Sequence, residues 1–514
     1  MSKSFRVSVV FAGLVAVVLG VSQVAFAGGI VTQTQEQAGP SSEASKKSGS
    51  VTKSSKKKKK KKAATTTFVV LGTYSPQAQA AQPISVTTVT SPDSGLVPAT
   101  SQPAEPISRN DLRSSRITGG VNGGPVTPPE PTITATAGQL IISEFRVRGP
   151  NGLNDEFIEI FNNSGADHTV DALSGSGYGV AASDGTTRCS IPNGTVIPNR
   201  GHYLCVNSIG YSLASYPAGN GTTATGDATY TTDIPDNAGI ALFNNNSGGG
   251  SYVLANRLDA VGSTSEANTL YKEGTGYPAL TPFSINYSFY RDNCGKGGSI
   301  TTFGPCPTGG NLKDTNNNAA DFVFVDTNGT SAGAGQRLGA PGPENLSSPI
   351  ERNASFSVNL LDICVAATSP PNRVRDFTSD PPNNSTFGTL DVRRTIVNNT
   401  GGNVTRLRFR IVDLTTFPAP SGIADLRPRT STAVVVTVDR PPCGSGTSNV
   451  TVQGTTLEQP PSQPNGGGFN SSMSAGVVTL ATPIANGASV DVRFLLGIQQ
   501  TGSFKFFFNV EALP

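Results

Sequence analysis

Apolar residues recur at every second position in several stretches of this chain. Leu407, Phe409 and Ile411 alternate with Arg406, Arg408 and Arg410. Val490, Val492, Phe494 and Leu496 repeat the pattern, as do Phe504, Phe506, Phe508 and Val510. A period of two sends one set of side chains to one face of an extended strand. Each such strand reads as having one face for a core and one mostly for water. No long stretch with helical periodicity follows the N-terminal segment. A chain patterned this way must pair its strands into sheets and cover their apolar faces. Its 58 Gly, 37 Pro and 14% charged residues suit many short strands joined by turns. The expected fold class is all-β, with two antiparallel β-sandwich domains behind a leader and a stalk.

The leader is residues 1–27. Lys3 and Arg6 form a basic start, Val7 to Val21 is apolar, and Ala25-Phe26-Ala27 is a small-x-small cleavage site. That is the pattern of a secretory signal peptide. The apolar run falls short of the roughly 20 residues that a membrane span needs. The mature protein is therefore expected to be exported, secreted or periplasmic, without an integral membrane span.

Residues 28–137 are poor in apolar residues and rich in Ser, Thr, Pro, Gln and Ala. Such a segment cannot bury enough apolar surface to offset its ordering entropy, and it reads as a disordered stalk. Within it run Lys56, Lys57, Lys58, Lys59, Lys60, Lys61 and Lys62. The run reads either as a solvated linker or as an attachment to an anionic surface. No aromatic residues interleave to stack on bases, which disfavours nucleic acid as a partner. Of the 38 Lys and Arg, 12 lie in residues 1–62, against 2 of the 35 acids. The remainder is mildly acidic, so a general nucleic-acid-binding footprint is missing.

The six cysteines suit an oxidising compartment. Six allow 15 connectivities, and proximity along the chain favours Cys189–Cys205, Cys294–Cys306 and Cys364–Cys443.

The first folded domain is expected over residues 138–345 and the second over 350–514. Strand candidates in the first include Leu140–Arg146, Glu156–Asn162, His202–Val206, Gly239–Phe243, Ser284–Arg291 and Asp321–Val325. Asn/Gly clusters punctuate them as turns. The stretch LIISEFRVRGPNGLNDEFIEIFNN from Leu140 to Asn163 resembles the opening of a lamin-tail domain, an immunoglobulin-like β-sandwich. IPNGTVIPNRGHYLCV, GIALFN, NNNAADFVFVDTNG and LGAPGPEN follow in the matching order. At Gly177-Tyr178-Gly179-Val180 the chain departs from the family, where a tryptophan-containing strand often sits. The layout is similar to exported bacterial proteins with a lamin-tail domain followed by a β-rich C-terminal domain. The resemblance implies a binding or scaffolding module at the cell surface, whose partner is an unknown protein or surface polymer.

Candidate chemistry is thin. Glu144, Asp155, Glu156 and Glu159 can be read as acid–base or hard-cation groups. The reading preferred is a solvent-facing strand edge with gatekeeping charges. Asp314, Asn316 and Asn318 echo the start of a calcium loop. The Gly and the bidentate Glu of that loop are missing, which favours an Asn-rich turn. His168 and His202 read as surface or partly packed residues. Neither histidine is set beside a nucleophile in the pattern a Ser-His-Asp arrangement needs, so no catalytic residue and no cofactor is assigned. The expected function is non-enzymatic binding or scaffolding. Two alternatives stay open. One is a carbohydrate-binding or accessory module of a hydrolase system, using Tyr203, Tyr211, Tyr216 and Tyr230 as sugar-stacking faces. The other is a calcium-stabilised adhesin.

Overall fold

The computed structural model describes residues 135–279, 285–292, 312–328, 337–416 and 424–514. It also describes the backbone of Gln33–Gln35 and Thr66–Phe68, which pair as antiparallel strands. The leader, the stalk up to residue 134 apart from those two strands, Lys56–Lys62 and the pair Cys294–Cys306 lie outside the described residues.

The first unit contains β1 (Leu140–Arg146), β2 (Phe157–Asn162), β3 (Gly177–Ala182), β4 (Thr187–Pro192), β5 (His202–Asn207) and β6 (Ala228–Tyr230). It continues with β7 (Ile240–Phe243), β8 (Arg257–Val261), β9 (Tyr287–Arg291), β10 (Phe322–Asp326) and β11 (Arg337–Leu338). One sheet runs β6-β5-β2-β1-β9-β10-β11 and the other β8-β7-β3-β4. Between them lies a core of Leu140, Ile142, Ile158, Ile160 and Phe289 from the first sheet. Tyr178, Val180, Ile191, Ile240 and Leu242 meet it from the second. The Gly177–Val180 segment is thus a strand, and buried Tyr178 fills the core there.

The second unit contains β12 (Ile350–Glu351), β13 (Phe356–Leu360), β14 (Arg373–Asp376), β15 (Thr389–Asn398), β16 (Arg406–Leu414) and β17 (Asp425–Arg429). Then come β18 (Val434–Asp439), β19 (Thr447–Gly454), β20 (Thr456–Gln459), β21 (Ser472–Ser474), β22 (Ser489–Gln500) and β23 (Phe506–Leu513). Its sheets run β12-β23-β16-β21-β20 and β13-β15-β22-β19-β18, with β14 also on β15 and β17 also on β22. Phe409, Phe494 and Phe508 meet at its centre, with Phe409 and Phe508 each within 5 Å (4.9 and 4.7 Å) of the Phe494 ring. Most pairings are antiparallel. The exceptions are β5 with β6, β10 with β11, and β19 with β22.

Burial departs from the expected alternation. Every residue of β1, β2, β5, β9 and β10 is buried, so these strands have no water-facing side. One reason is local: Leu213, Tyr216 and Ala224 cover Phe157, Leu204 and Val206. The larger reason is the second unit. Tyr290, Val323 and Val325 of the first unit belong to the same apolar cluster as Phe409 and Phe469. The segment after β11 threads between the units, where Phe469 N donates to Leu338 O at 2.9 Å and Ala340 N to Phe469 O at 3.0 Å.

A hairpin of β18 and β19 projects from the second unit. β19 meets β22 only through Gln453 and Gly454. Val434, Val436, Val450 and Leu361 pack around Val438 and Val452 on one face. On the other face Val435 is 69% exposed.

Candidate functional site

The four acids of the first unit are neither exposed nor on an edge. β1 lies between β2 and β9, and β2 between β1 and β5, so no edge exists there to guard. All four are buried, and they separate into three environments. Asp155 pairs with Arg146 and accepts from Ser212 N at 2.9 Å and Asn151 N at 3.0 Å. Glu156 accepts from Ile234 N at 2.7 Å and Asn207 Nδ2 at 2.9 Å. Glu144 and Glu159, opposite each other across β1 and β2, face the second unit.

These last two begin a charged seam between the units. Gly342 N donates to Glu144 Oε1 at 2.9 Å, and Asn470 Nδ2 donates to its Oε2 at 3.0 Å. Glu344 N donates to Glu159 Oε2 at 2.7 Å. His202 stands between two carboxylates, Nδ1 at 2.9 Å from Glu159 Oε1 and Nε2 at 3.1 Å from Glu344 Oε2. From the second unit, Arg408 Nε reaches Glu511 Oε2 at 2.6 Å and Arg410 Nε reaches Glu511 Oε1 at 2.8 Å. Both guanidinium groups also contact Glu344. At Gly342 a Cβ would lie 2.1 Å from Arg410 Nη1, so a larger residue would have to displace that guanidinium. Beside the seam, Arg200 pairs with Glu351 at 2.7 Å. A cavity of about 60 Å³ lies among these groups, room for a few waters.

The expected water face of Arg408 and Arg410 is therefore corrected: both are buried against carboxylates. So is the expectation for His202, which is buried between two carboxylates. His168 is buried as well, with Nε2 3.2 Å from the Tyr178 hydroxyl. Ser143 Oγ donates to Glu159 Oε1 at 2.6 Å, giving the order Ser–Glu–His. A nucleophilic triad needs the imidazole next to the hydroxyl so that it takes the proton, and here the carboxylate intervenes. Glu159, His202 and Glu344 bring ligand-type atoms within 4.8 Å of one another. Each already has a partner, and Arg408 and Arg410 supply the positive charge, so the seam is a weld between the units.

Sequence reasoning missed Glu344, Arg408, Arg410, Asn470 and Glu511 as members of one cluster. A signal existed in the arginines placed every second residue of β16 and in the single acid of β23, which pairs Glu511 opposite Arg408.

The calcium-loop reading of Asp314, Asn316 and Asn318 is corrected. Asn318 Oδ1 is taken by Gly262 N at 2.9 Å and Glu273 N at 3.0 Å. Asn316 sits at φ 54°, in the left-handed turn region. Asp321 accepts from Thr315 N and Oγ1 at 2.9 and 2.7 Å, closing the turn. Asp314 alone of the three joins a carboxylate cluster. The tyrosines proposed as sugar faces are also displaced: Tyr203, Tyr216 and Tyr230 are buried, and Tyr211 donates its hydroxyl to Ala224 O at 3.1 Å. Disulfides Cys189–Cys205 and Cys364–Cys443 are formed. Among the described residues no helix is long and apolar enough to cross a membrane.

Burial sets the pH response. Desolvation pushes Glu156 up to about 8, and together with nearby Glu159 it pushes Glu144 up to about 7. Desolvation raises Asp227 to about 6. A carboxyl whose folded pKa lies above its unfolded value binds its proton better when folded, so stability falls as pH rises from about 4.5 towards 8. Burial also pushes Glu511 up, but Arg408 and Arg410 outweigh it and hold the group below its usual range. Its contribution is lost only below the ordinary carboxylate range. Stability is thus expected to fall between pH 5 and 9, by on the order of 1.4 kcal/mol per unit of upward shift, and the melting temperature with it. Glu156→Gln should flatten that slope. A melting temperature that rises over this range would contradict the assignment.

Against known proteins, no family model matches the chain, and neither a curated protein nor a solved structure matches it.

Proposed function

We propose that this is an exported, non-enzymatic binding or scaffolding protein of a bacterial cell surface or envelope. In this reading two welded β-sandwiches present an outer edge to a protein or polymer partner. Export is supported by the signal-type leader and by the two disulfides, which belong to oxidising compartments. The lamin-tail resemblance of residues 138–345 supports a module that binds. Its buried charges are absorbed by structural ion pairs rather than gathered around a nucleophile.

The observation that carries the reading is the β18–β19 hairpin. Among the described residues β18 ends its sheet, with β19 on one side and no strand on the other. An open edge offers unpaired N–H and C=O groups to an extended segment of another chain. Val434 to Val438 give that edge high strand propensity, and Val435 and Thr437 face outward.

Val435→Lys places a charge at an exposed edge position, a device that blocks strand addition. The variant should melt like the parent, since exposed sites change stability by only about 0.5 kcal/mol. Capture of an envelope or medium component by the immobilised full chain should weaken about tenfold, equivalent to 1.4 kcal/mol. Capture that is indifferent to Val435→Lys would move the binding surface elsewhere. Retention on insoluble polysaccharide would restore the carbohydrate-binding reading, which has lost its tyrosine faces. The calcium-stabilised adhesin is the second reading, favoured by the acidic cluster around Glu273.

A further inference from the structure

A second group of acids sits in the first unit. One carboxylate oxygen from each of Asp259, Glu273 and Asp314 lies within 4.8 Å of the others. Asp259 comes from β8, Glu273 follows the short turn at Thr269–Tyr271, and Asp314 leads into β10. Three separated segments thus converge. Asn318 fixes the middle one by accepting from Glu273 N at 3.0 Å while donating to Ala260 O at 2.9 Å.

The positive charge supplied is incomplete. Arg291 Nη2 lies 2.7 Å from both oxygens of Asp259, which also accept from Ile142 N at 2.6 Å and Ala260 N at 2.8 Å. Asp259 is well satisfied. Arg291 Nη1 stands farther off, 3.4 Å from Asp314 and 3.5 Å from Asp321. Arg257 Nη2 reaches Glu273 Oε1 at 3.2 Å, while its Nη1 donates to the carbonyls of Thr269 and Leu270 at 3.0 and 3.1 Å. Lys313 turns its Nζ to Ala320 O at 2.9 Å. Four carboxylates therefore share two guanidinium groups.

The independent sign of a ligand is Glu273. Its side chain is 5% exposed, and its Oε2 is buried without a hydrogen-bond partner among the described residues. An unpaired carboxylate oxygen out of water is costly and calls for a proton or a cation. Oxygen-only donors suit a hard cation, and the irregular setting beside Arg291 suits calcium better than magnesium, which demands near-octahedral geometry.

The geometry points to a calcium site formed by Glu273 and Asp314, with Asp259 completing the carboxylate set and water filling the remaining positions. The ion would tie β8, the turn after it and the entry to β10 into one unit. The inference stands apart from the binding reading, because it is read in solution without any partner.

The test uses the full chain, freed of metal with a chelator and titrated with calcium chloride or magnesium chloride, followed by calorimetry and thermal melting. Calcium is expected to bind once per chain and to raise the melting temperature, since a ligand of the folded state alone stabilises it. Magnesium should act at least about tenfold more weakly. Glu273→Gln and Asp314→Asn should each weaken calcium binding about tenfold or more. In chelator, Glu273→Gln should melt no lower than the parent, because it removes a buried charge. Asp314 is 13% exposed at its side chain, so Asp314→Asn keeps the test alive if the Glu273 variant folds poorly. Absence of heat and of any melting shift at about 10 mM calcium, above the range of weak extracellular sites, would overturn the site in favour of a proton on Glu273. A calcium shift that survives both substitutions would overturn it equally.

Discussion

Arg408→Ala should lower the free energy of unfolding by about 3–5 kcal/mol, measured by denaturant unfolding. Arg408 is fully buried and lies between Glu511 of its own unit and Glu344 of the threading segment. The loss does not measure what the ion pair adds over an apolar pair. It measures two carboxylates left in a buried seam with half their counter-charge removed, and desolvation makes that state expensive. The contrast is Arg440, whose guanidinium is 2.6 Å from Asp491 with the arginine side chain 41% exposed. Arg440→Ala should cost under about 1 kcal/mol, because water replaces the lost partner. Adding Glu344→Gln to Arg408→Ala should restore part of the loss, since the two sites share one network. Equal small effects for Arg408→Ala and Arg440→Ala would mean that the seam is wet and the weld is not formed.

The second large effect concerns the disulfides. Cys364–Cys443 spans 79 residues and Cys189–Cys205 spans 16. In the chain-entropy account, opening the longer loop costs about 4.5 kcal/mol and the shorter about 3 kcal/mol. Cys364→Ser with Cys443→Ser should therefore destabilise more than the matching change at Cys189 and Cys205. Structure adds to the difference. Cys443 sits at the tip of the β18–β19 hairpin, which meets the rest of its sheet only through Gln453 and Gly454. Asp362 helps to hold the tip by accepting from Asp439 N at 2.7 Å. Opening this bridge should also speed amide exchange in β18 and β19 while leaving β22 protected. Uniform exchange across both strands and β22 would show that the bridge does not anchor the hairpin.

How much of this was legible depends on the range of the interaction. β1 was read at its observed limits because Leu140–Phe145 carries its own strand signal and an Asn/Gly turn follows. β16, β22 and β23 were readable from alternation alone, since their inward residues fill a core whatever lies outside. The fate of the other face was not readable. Arg408 and Glu511 stand 103 residues apart, and nothing near either says that a second sheet will cover them. The same limit hid Glu144, Glu159 and His202: a carboxylate set among isoleucines looks the same on a wetted sheet as on a buried one. Asp314 was read with its own Asn-rich turn, because the acids beside it, Asp259 and Glu273, arrive from distant segments. The disulfides were easier, since closeness along the chain favours pairing and the partners flank recognisable strands.

The shared apolar cluster has a practical result. Tyr290, Val323 and Val325 rest against Phe409 and Phe469, and Glu144 reaches Asn470 across the same boundary. A cut near residue 346 would bare oily side chains and orphaned ions on both pieces at once. Dissection into separately expressed halves would create sticky surfaces that the intact molecule never shows, and binding seen with such pieces would say little about the parent.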